Sequence, residues 1–159
     1  MSKAVAQRIY QQNLDAVSAA LMAGDLQEML KHIAIPNMMA TRDSEIVMAS
    51  PEELDMVMQD FRAQLLARGV TSYRRTCLEA EFVTGSGDMI SGRHRTDAFG
   101  HDGARITPYM NYSVLILMDG RWKGVWLQAV LENTELEVLS PDIAAAQARA
   151  RLILESADR

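Results

Sequence analysis

The first third of the chain repeats apolar residues at the spacing of an α-helix. Tyr10, Leu14, Val17 and Leu21 follow one another three or four residues apart, so they fall on one face of a helix. Gly24 interrupts this pattern, and glycine is a common residue at the end of a helix. We therefore predict a long N-terminal helix that buries this face and ends at Gly24.

A second, shorter helix is predicted directly after the first. Asp25 can cap its first turn, and Glu28 stands three residues later, as a capping box requires. Pro36 is expected to end this helix, because proline has no N–H group to donate. The segment "NMMATRDSEIVMAS" that follows predicts two short strands around a turn near Asp43.

The segment "SPEELDMVMQDFRAQLLARG" carries the clearest helix signals in the chain. Ser50 is an N-cap residue, Pro51 occupies the first helical position, and Glu53 completes a capping box. Gly69 is a natural stop. We predict a third helix between Ser50 and Gly69.

Beyond Gly69 the apolar period shortens from about 3.6 residues to 2, which is typical of strands. The turn-forming segments "TGSG", "GHDG" and "DG" divide this region, and Asp119-Gly120 has the composition of a two-residue hairpin turn. The four predicted strands cover residues 71–83, 88–99, 104–118 and 121–133. A short helix, capped at Ser140, is then expected over about 141–154.

Composition excludes several classes of function. The net charge of −5 and the scattered basic residues provide no surface for a phosphate backbone, so we expect no nucleic-acid partner. No apolar run approaches the roughly 18 residues of a membrane span, and we expect no membrane partner. The single cysteine, Cys77, rules out an internal disulfide, and the N-terminus lacks the apolar run of a signal peptide. We expect a cytoplasmic protein.

The order of these elements resembles the nuclear transport factor 2-like superfamily, which includes ketosteroid isomerases and SnoaL-type polyketide cyclases. Three segments carry the resemblance, "AGDLQEML", "SPEELDMVMQDFRAQL" and "MDGRWKGVWLQAV", and it covers about residues 5–133. It implies an α+β fold in which a curved, mostly antiparallel sheet wraps around the N-terminal helices as a cone. We accordingly expect a single domain over residues 1–159, with a pocket inside the cone and a short C-terminal helix.

The stretch "SGRHRTDAFGHDG" concentrates charged side chains on one predicted strand. Arg93, Arg95 and Asp97 alternate and therefore share one face. Counting back from the Asp119-Gly120 turn places this face, together with Tyr112, on the side of the helices. Arg93, Arg95 and Tyr112 are thus predicted to bind a ligand, although a structural arginine–aspartate pair near the mouth remains open. A β-bulge would reverse the assignment of faces.

The opposite face of the predicted sheet mixes aromatic and neutral polar side chains, a composition typical of the centre of a protein interface. The resemblance also implies that members are commonly homodimers. We expect a homodimer through this face, and the alternative is a face covered by the C-terminal helix. The predicted interface residues are Tyr109, Asn111, Ser113, Trp126 and Gln128.

Three functions remain open at this point. The first is a small-molecule-binding domain, whose ligand occupies the pocket inside the cone. The second is a cofactor-free isomerase, cyclase or dehydratase, in which Asp97, His32 or Tyr10 performs acid–base chemistry. The third is a protein-interaction module that acts through the sheet surface. No metal or other cofactor is expected, because the three histidines stand in no ligand motif.

Overall fold

The structure, a computed structural model, describes residues 2–132, 136 and 141–157. Ser140 and residue 133, the last of the predicted strand 121–133, lie outside the described residues, and within them this strand already ends at Ala129. The helices are α1 (Lys3–Ala23), α2 (Leu26–Met29), α3 (Pro51–Ala67) and α4 (Pro141–Ala157). The strands are β1 (Ile33–Ala40), β2 (Glu45–Met48), β3 (Ser72–Phe82), β4 (Met89–Gly100), β5 (Gly103–Ala104), β6 (Tyr109–Met118) and β7 (Arg121–Ala129).

All seven strands belong to one curved sheet with the order β2-β1-β7-β6-β4-β3, and β5 pairs with β4. Strand β1 lies parallel to β7, whereas the other pairs are antiparallel. The predicted α+β fold is therefore confirmed. None of the helices in the described part of the chain is long and apolar enough to cross a membrane.

The helix ends follow the local signals in the sequence. Ser50 accepts a hydrogen bond from the backbone N–H of Glu53 at 3.2 Å, and Asp25 accepts one from Glu28 at 3.0 Å. Gly24 adopts the left-handed conformation with φ of 67°, which glycine reaches without steric cost. These caps confirm the predicted starts of α2 and α3 and the predicted end of α1.

Pro36 does not end a helix, so this prediction is wrong. The second helix closes at Met29, and Pro36 lies inside strand β1, after a cis peptide bond from Ile35. Its side chain is exposed, and the register between β1 and β7 shifts between Ile33 and Met38. A proline is tolerated in this strand because the ladder is irregular where its N–H is missing.

Counting from the turns predicts three first pairs, of which Met118–Arg121, across the Asp119-Gly120 turn, and Phe99–Ala104 are confirmed. The third, Val83 opposite Asp88, is wrong by one residue, because Phe82 pairs with Ile90 and Val83 donates to Met89. Farther along, the predicted strand 104–118 is divided, because the chain leaves the sheet after Ala104 and β6 begins at Tyr109.

A β-bulge in β7 overturns the predicted assignment of sheet faces. Val114 pairs with Trp126 but the next residue, Leu115, pairs with Gly124, so Val125 is an extra residue in the ladder. Beyond this bulge each residue of β7 pairs with a β6 residue one position away from the one that counting from the turn predicts. Because side chains alternate along a strand, its partner then belongs to the opposite face from the one predicted. A second bulge lies in β3, between Cys77 and Glu79.

The face of the sheet that packs against the helices, here called the inner face, is therefore the reverse of the predicted one on β4 and β6. Its buried or half-buried side chains are Tyr73, Arg75, Cys77 and Ala80 on β3, His94, Thr96 and Ala98 on β4, and Asn111, Ser113 and Leu115 on β6. Arg93, Arg95, Asp97 and Tyr112 belong to the outer face, so their predicted inward position is wrong.

Helix α1 lies across β3 and β4 and buries Tyr10 completely. The Tyr10 ring occupies the space above Gly92, where a Cβ atom would stand 2.5 Å from Cε2 of the ring. Tyr10 belongs to a small apolar cluster with Ala6, Leu14 and Ile90. The absence of a side chain at residue 92 thus lets an aromatic ring approach the strand backbone.

We predict that Gly92→Ala destabilises the protein by about 1–3 kcal/mol, because the new methyl group overpacks the site of the Tyr10 ring. Urea unfolding measures the change, with Ser91→Ala, on the same strand, as the control. Equal stability of the Gly92→Ala variant and the wild type would contradict the close packing of Tyr10 on β4.

Candidate functional site

A cavity of about 100 Å³ lies between the inner face of the sheet and helices α1, α2 and α3. Most of its lining is apolar, and a smaller set of polar side chains comes mainly from the strands. The apolar residues include Leu14, Val17, Leu21, Leu54, Val57 and Phe61, and the polar ones are Asn13, Asn37, Tyr73, Arg75, Tyr109, Asn111 and Ser113. This mixture of apolar wall and few polar groups is typical of a small-molecule site.

Four methionines, Met29, Met39, Met48 and Met58, line this cavity. At about 100 Å³ the cavity is smaller than the roughly 150 Å³ of an apolar cavity that accommodates benzene. Methionine side chains are unbranched and change conformation at low cost. This cavity can therefore adjust its volume to a ligand more readily than a cavity enclosed by branched side chains could.

Arg75 contributes a positive charge to the cavity wall. Its Nε donates a hydrogen bond to Oγ of Ser18 at 2.9 Å, and a terminal nitrogen donates to the backbone oxygen of Leu14 at 3.1 Å. The guanidinium carbon lies 5.9 Å from the centre of the Tyr73 ring. Within the described part of the chain, no carboxylate forms an ion pair with Arg75. Helix α1 therefore holds a cation whose charge is not neutralised.

The asparagine side chains of the cavity are also held by hydrogen bonds. Asn111 donates to Oγ1 of Thr96 at 2.7 Å, and Asn37 donates to the backbone oxygen of Gly124 at 2.7 Å. Burial, with the neighbouring Tyr73 side chain, raises the pKa of Tyr109 well above its usual value. Tyr109 is consequently a neutral hydroxyl group at physiological pH.

Tyr10 and His94 form a buried pair beside the cavity. The Tyr10 hydroxyl oxygen lies 2.7 Å from Nδ1 of His94, and both side chains have no solvent exposure. Burial raises the pKa of Tyr10 far above its usual value, and burial together with the charge of Arg75 lowers the pKa of His94 to about 2. Nε2 of His94 has no hydrogen-bond partner among the residues that the structure describes. Both residues are therefore neutral across the physiological range.

The three residues predicted as catalytic candidates do not come together. Tyr10 is buried against β4, whereas Asp97 lies on the outer face and accepts a hydrogen bond from Arg95 at 2.9 Å. His32 follows α2 and lies 3.4 Å from the carboxylate of Glu28. These side chains occupy three separate places in the fold and form no common acid–base site. Among the described residues, no cluster of His, Cys, Asp and Glu is placed to hold a metal ion.

The residues predicted to bind a ligand lie outside the cavity. Arg93 and Tyr112 line a groove on the outer face together with Glu79 and Glu81, and Arg93 lies 3.7 Å from Glu79. Arg95 lines a different cleft, at the end of the sheet. Ligand binding by Arg93, Arg95 and Tyr112 stays a prediction. A ligand bound by these residues would lie outside the cavity.

Most of the residues predicted to form a dimer interface belong instead to the cavity. Tyr109, Asn111 and Ser113 line it, and Trp126 borders both the cavity and the outer groove. Gln128 pairs with Tyr112, whose side chain is 45% exposed on the outer face. The homodimer itself stays a prediction.

Sequence reasoning missed Arg75 and His94 because both depend on the assignment of faces. The segment "YRRTC" does contain the signal, since Tyr73, Arg75 and Cys77 alternate with more polar or exposed residues. Alternation alone does not show which set is buried when a bulge can reverse the register.

Solved structures with the same arrangement of elements confirm the fold. The chain is similar to a protein of unknown function with a cystatin-like fold from Nostoc punctiforme, with a TM-score of 0.64, 14% identity and coverage of 84% of this chain and 96% of that one. An NTF2-like protein from Novosphingobium aromaticivorans gives a TM-score of 0.61, 13% identity and coverage of 86% and 90%. An NTF2-like protein of unknown function from Shewanella oneidensis gives a TM-score of 0.60 and 13% identity, with coverage of 78% of this chain and 98% of that one.

These structures show that the chain has the nuclear transport factor 2-like fold, as the order of its elements indicated. Identities this low establish the fold alone. No protein-family model matches the chain, and no curated protein matches it significantly.

The state of His94 predicts how stability depends on pH. The histidine stays neutral in the folded protein down to a pKa of about 2, whereas in the unfolded chain it takes up a proton below about 6.5. The unfolded state therefore binds more protons as the pH falls, and the free energy of unfolding decreases. Between pH 7.5 and 5.5 this residue should account for a loss of about 1.4 kcal/mol.

Urea unfolding at these two pH values tests this prediction, with His94→Gln as the comparison. The variant retains a polar side chain but has no group that titrates in this window, and the other two histidines are present in both proteins. An equal loss of stability in the wild type and the variant would show that His94 is not held in the neutral form.

Proposed function

We propose that this protein binds a small, mainly apolar molecule in the cavity inside the cone, with one oxygen atom of that molecule hydrogen-bonded at Arg75. The binding function is the simplest one that the site supports, because the polar groups of the cavity are suited to orienting a ligand. Neutral hydroxyl and amide groups, together with one cation, can recognise a carbonyl, hydroxyl or carboxylate oxygen.

The position of Arg75 is the observation that carries this proposal. A partly buried guanidinium group without a carboxylate partner is costly, because the protein replaces its water with few polar atoms. Ser18 and Leu14 supply two acceptors, but guanidinium has five N–H donors. An oxygen atom brought in by a ligand would gain a charge-assisted hydrogen bond at this place.

The apolar wall supports a ligand of modest size. Leu14, Val17 and Phe61 provide the surface for a hydrocarbon part, and the methionines allow the cavity to enlarge around it. A ligand that fills this space removes apolar surface from water, which supplies most of the affinity in such sites.

Binding is favoured over acid–base catalysis by the state of the buried titratable groups. General acid–base chemistry is most effective when the pKa of the catalytic group lies near the working pH. In the Tyr10–His94 pair, burial moves both pKa values away from neutrality and in opposite directions. The described cavity lining contains no aspartate or glutamate. The geometry therefore supports recognition of a ligand more directly than proton transfer.

We predict that phenol binds to the wild-type protein more tightly than benzene, and that Arg75→Met removes most of this difference. The loss should be about tenfold in Kd, because a hydrogen bond from a charged donor is worth roughly 1.5 kcal/mol or more. Titration followed by NMR of ¹³C-labelled methionine methyl groups gives the affinity and shows whether the cavity methionines respond.

Arg74→Met provides the matched control, since Arg74 is the neighbouring arginine on β3 and its side chain is exposed. This variant should bind both probes as the wild type does. Equal effects of the two substitutions, or phenol binding without any change at the cavity methionines, would contradict the proposal.

A further inference from the structure

A second cleft, which we call the arginine cleft, lies at the end of the sheet where β6 begins and β7 ends. Its volume of about 810 Å³ is within the range of about 300–1,000 Å³ that is usual for ligand sites. The cleft is lined by Arg42, Arg68, Arg95, Ile106, Thr107, Pro108, Tyr109, Met110, Val130, Leu131 and Leu136.

Three elements that are distant in sequence bring the arginines of this cleft together. Arg42 belongs to the turn between β1 and β2, Arg68 caps the end of α3, and Arg95 lies on the outer face of β4. The backbone N–H of Arg42 donates to the carbonyl oxygen of Leu131 at 2.9 Å, which fixes the turn against the end of β7. The pairing of the sheet thus fixes the backbone position of Arg42.

The described lining of the arginine cleft contains no carboxylate. Arg95 is partly neutralised by Asp97, at 2.9 Å, whereas Arg42 forms no ion pair with any residue that the structure describes. The whole chain carries a net charge of −5, so the positive charge that Arg42 and Arg95 bring to the cleft is a local feature. A cleft lined by charges of one sign attracts a ligand of the opposite sign.

The rest of the lining is mainly apolar. Pro108, Met110 and Val130, which are exposed or half-buried, provide a surface beside the arginines on which a hydrocarbon group can pack. Tyr109 lines both this cleft and the inner cavity, so the two sites share one wall. A small inorganic anion would use the charges of the cleft but leave its apolar surface exposed to water.

We infer that the arginine cleft binds an organic anion, whose carboxylate is held by Arg42 and Arg95 and whose apolar part packs along Pro108, Met110 and Val130. The planar guanidinium group presents paired donors that match a carboxylate. This site is separate from the proposed cavity site and does not depend on it.

Octanoate and 1-octanol are suitable probes, because they share an apolar chain and differ in charge. The readout is the NMR signal of the ¹³C-labelled Met110 methyl group, which Met110→Leu assigns. Octanoate should shift this signal at concentrations where octanol and acetate do not, and its affinity should fall as the salt concentration rises. The methyl signals of Met48 and Met58 report on the inner cavity in the same spectra.

The double variant Arg42→Gln/Arg95→Gln should weaken octanoate binding at Met110 by about tenfold or more, since two charge-assisted contacts are lost. Arg93→Gln is the matched control, because Arg93 lies on the same strand, is similarly exposed and does not line the cleft. This control should bind octanoate as the wild type does.

Three outcomes would overturn the inference. These are a shift of the Met110 signal by octanol as strong as that by octanoate, full octanoate affinity in the double variant, and a Met110 signal that octanoate leaves unchanged. A shift confined to Met48 and Met58 would overturn the arginine cleft while supporting the cavity site. Failure of phenol to bind in the cavity would leave the octanoate result at Met110 unaffected.

Discussion

Strand β7 has one more residue than β6 between the pairs Val114–Trp126 and Leu115–Gly124, and this bulge decides which side chains face the helices. Side chains alternate along a strand, so one inserted residue exchanges the two faces beyond it. Leu127 and Ala129 then pair with Ser113 and Asn111. Asn111 in turn pairs with His94 on β4, and Thr96 of β4 pairs with Arg75 on β3. These pairs place His94 and Arg75 beneath helix α1.

Burial of these polar groups explains the architecture around them. Helix α1 supplies Ser18 and the carbonyl of Leu14 as acceptors for Arg75, and its Tyr10 hydroxyl meets His94. Gly92 makes room for the tyrosine ring. A buried polar group costs free energy unless it has a hydrogen-bond partner, so each of these contacts offsets part of the cost of the inner site. The remaining N–H donors of Arg75 are the groups that we propose bind the oxygen atom of a ligand.

The sequence predicts most of the local structure because caps and turns depend on neighbouring residues. Ser50, Gly24 and the Asp119-Gly120 turn occupy their expected places. The face assignment of β4 could not be predicted in the same way, because it depends on a bulge two strands away and on packing against α1. Pro36 shows the same limit, since its place in a strand depends on the irregular pairing of β1 with β7. The fold was therefore accessible from the sequence, whereas the lining of the cavity was not.

The bulge turns Ser113 toward the helices and Tyr112 outward, and thiol accessibility measures this directly. Tyr112→Cys and Ser113→Cys are introduced separately in a Cys77→Ala background, and the rate of reaction with a water-soluble thiol reagent is measured under native conditions. We expect rapid reaction at residue 112 and strong protection at residue 113, which is 9% exposed. Fast reaction at residue 113 with protection at residue 112 would contradict the register that the bulge imposes.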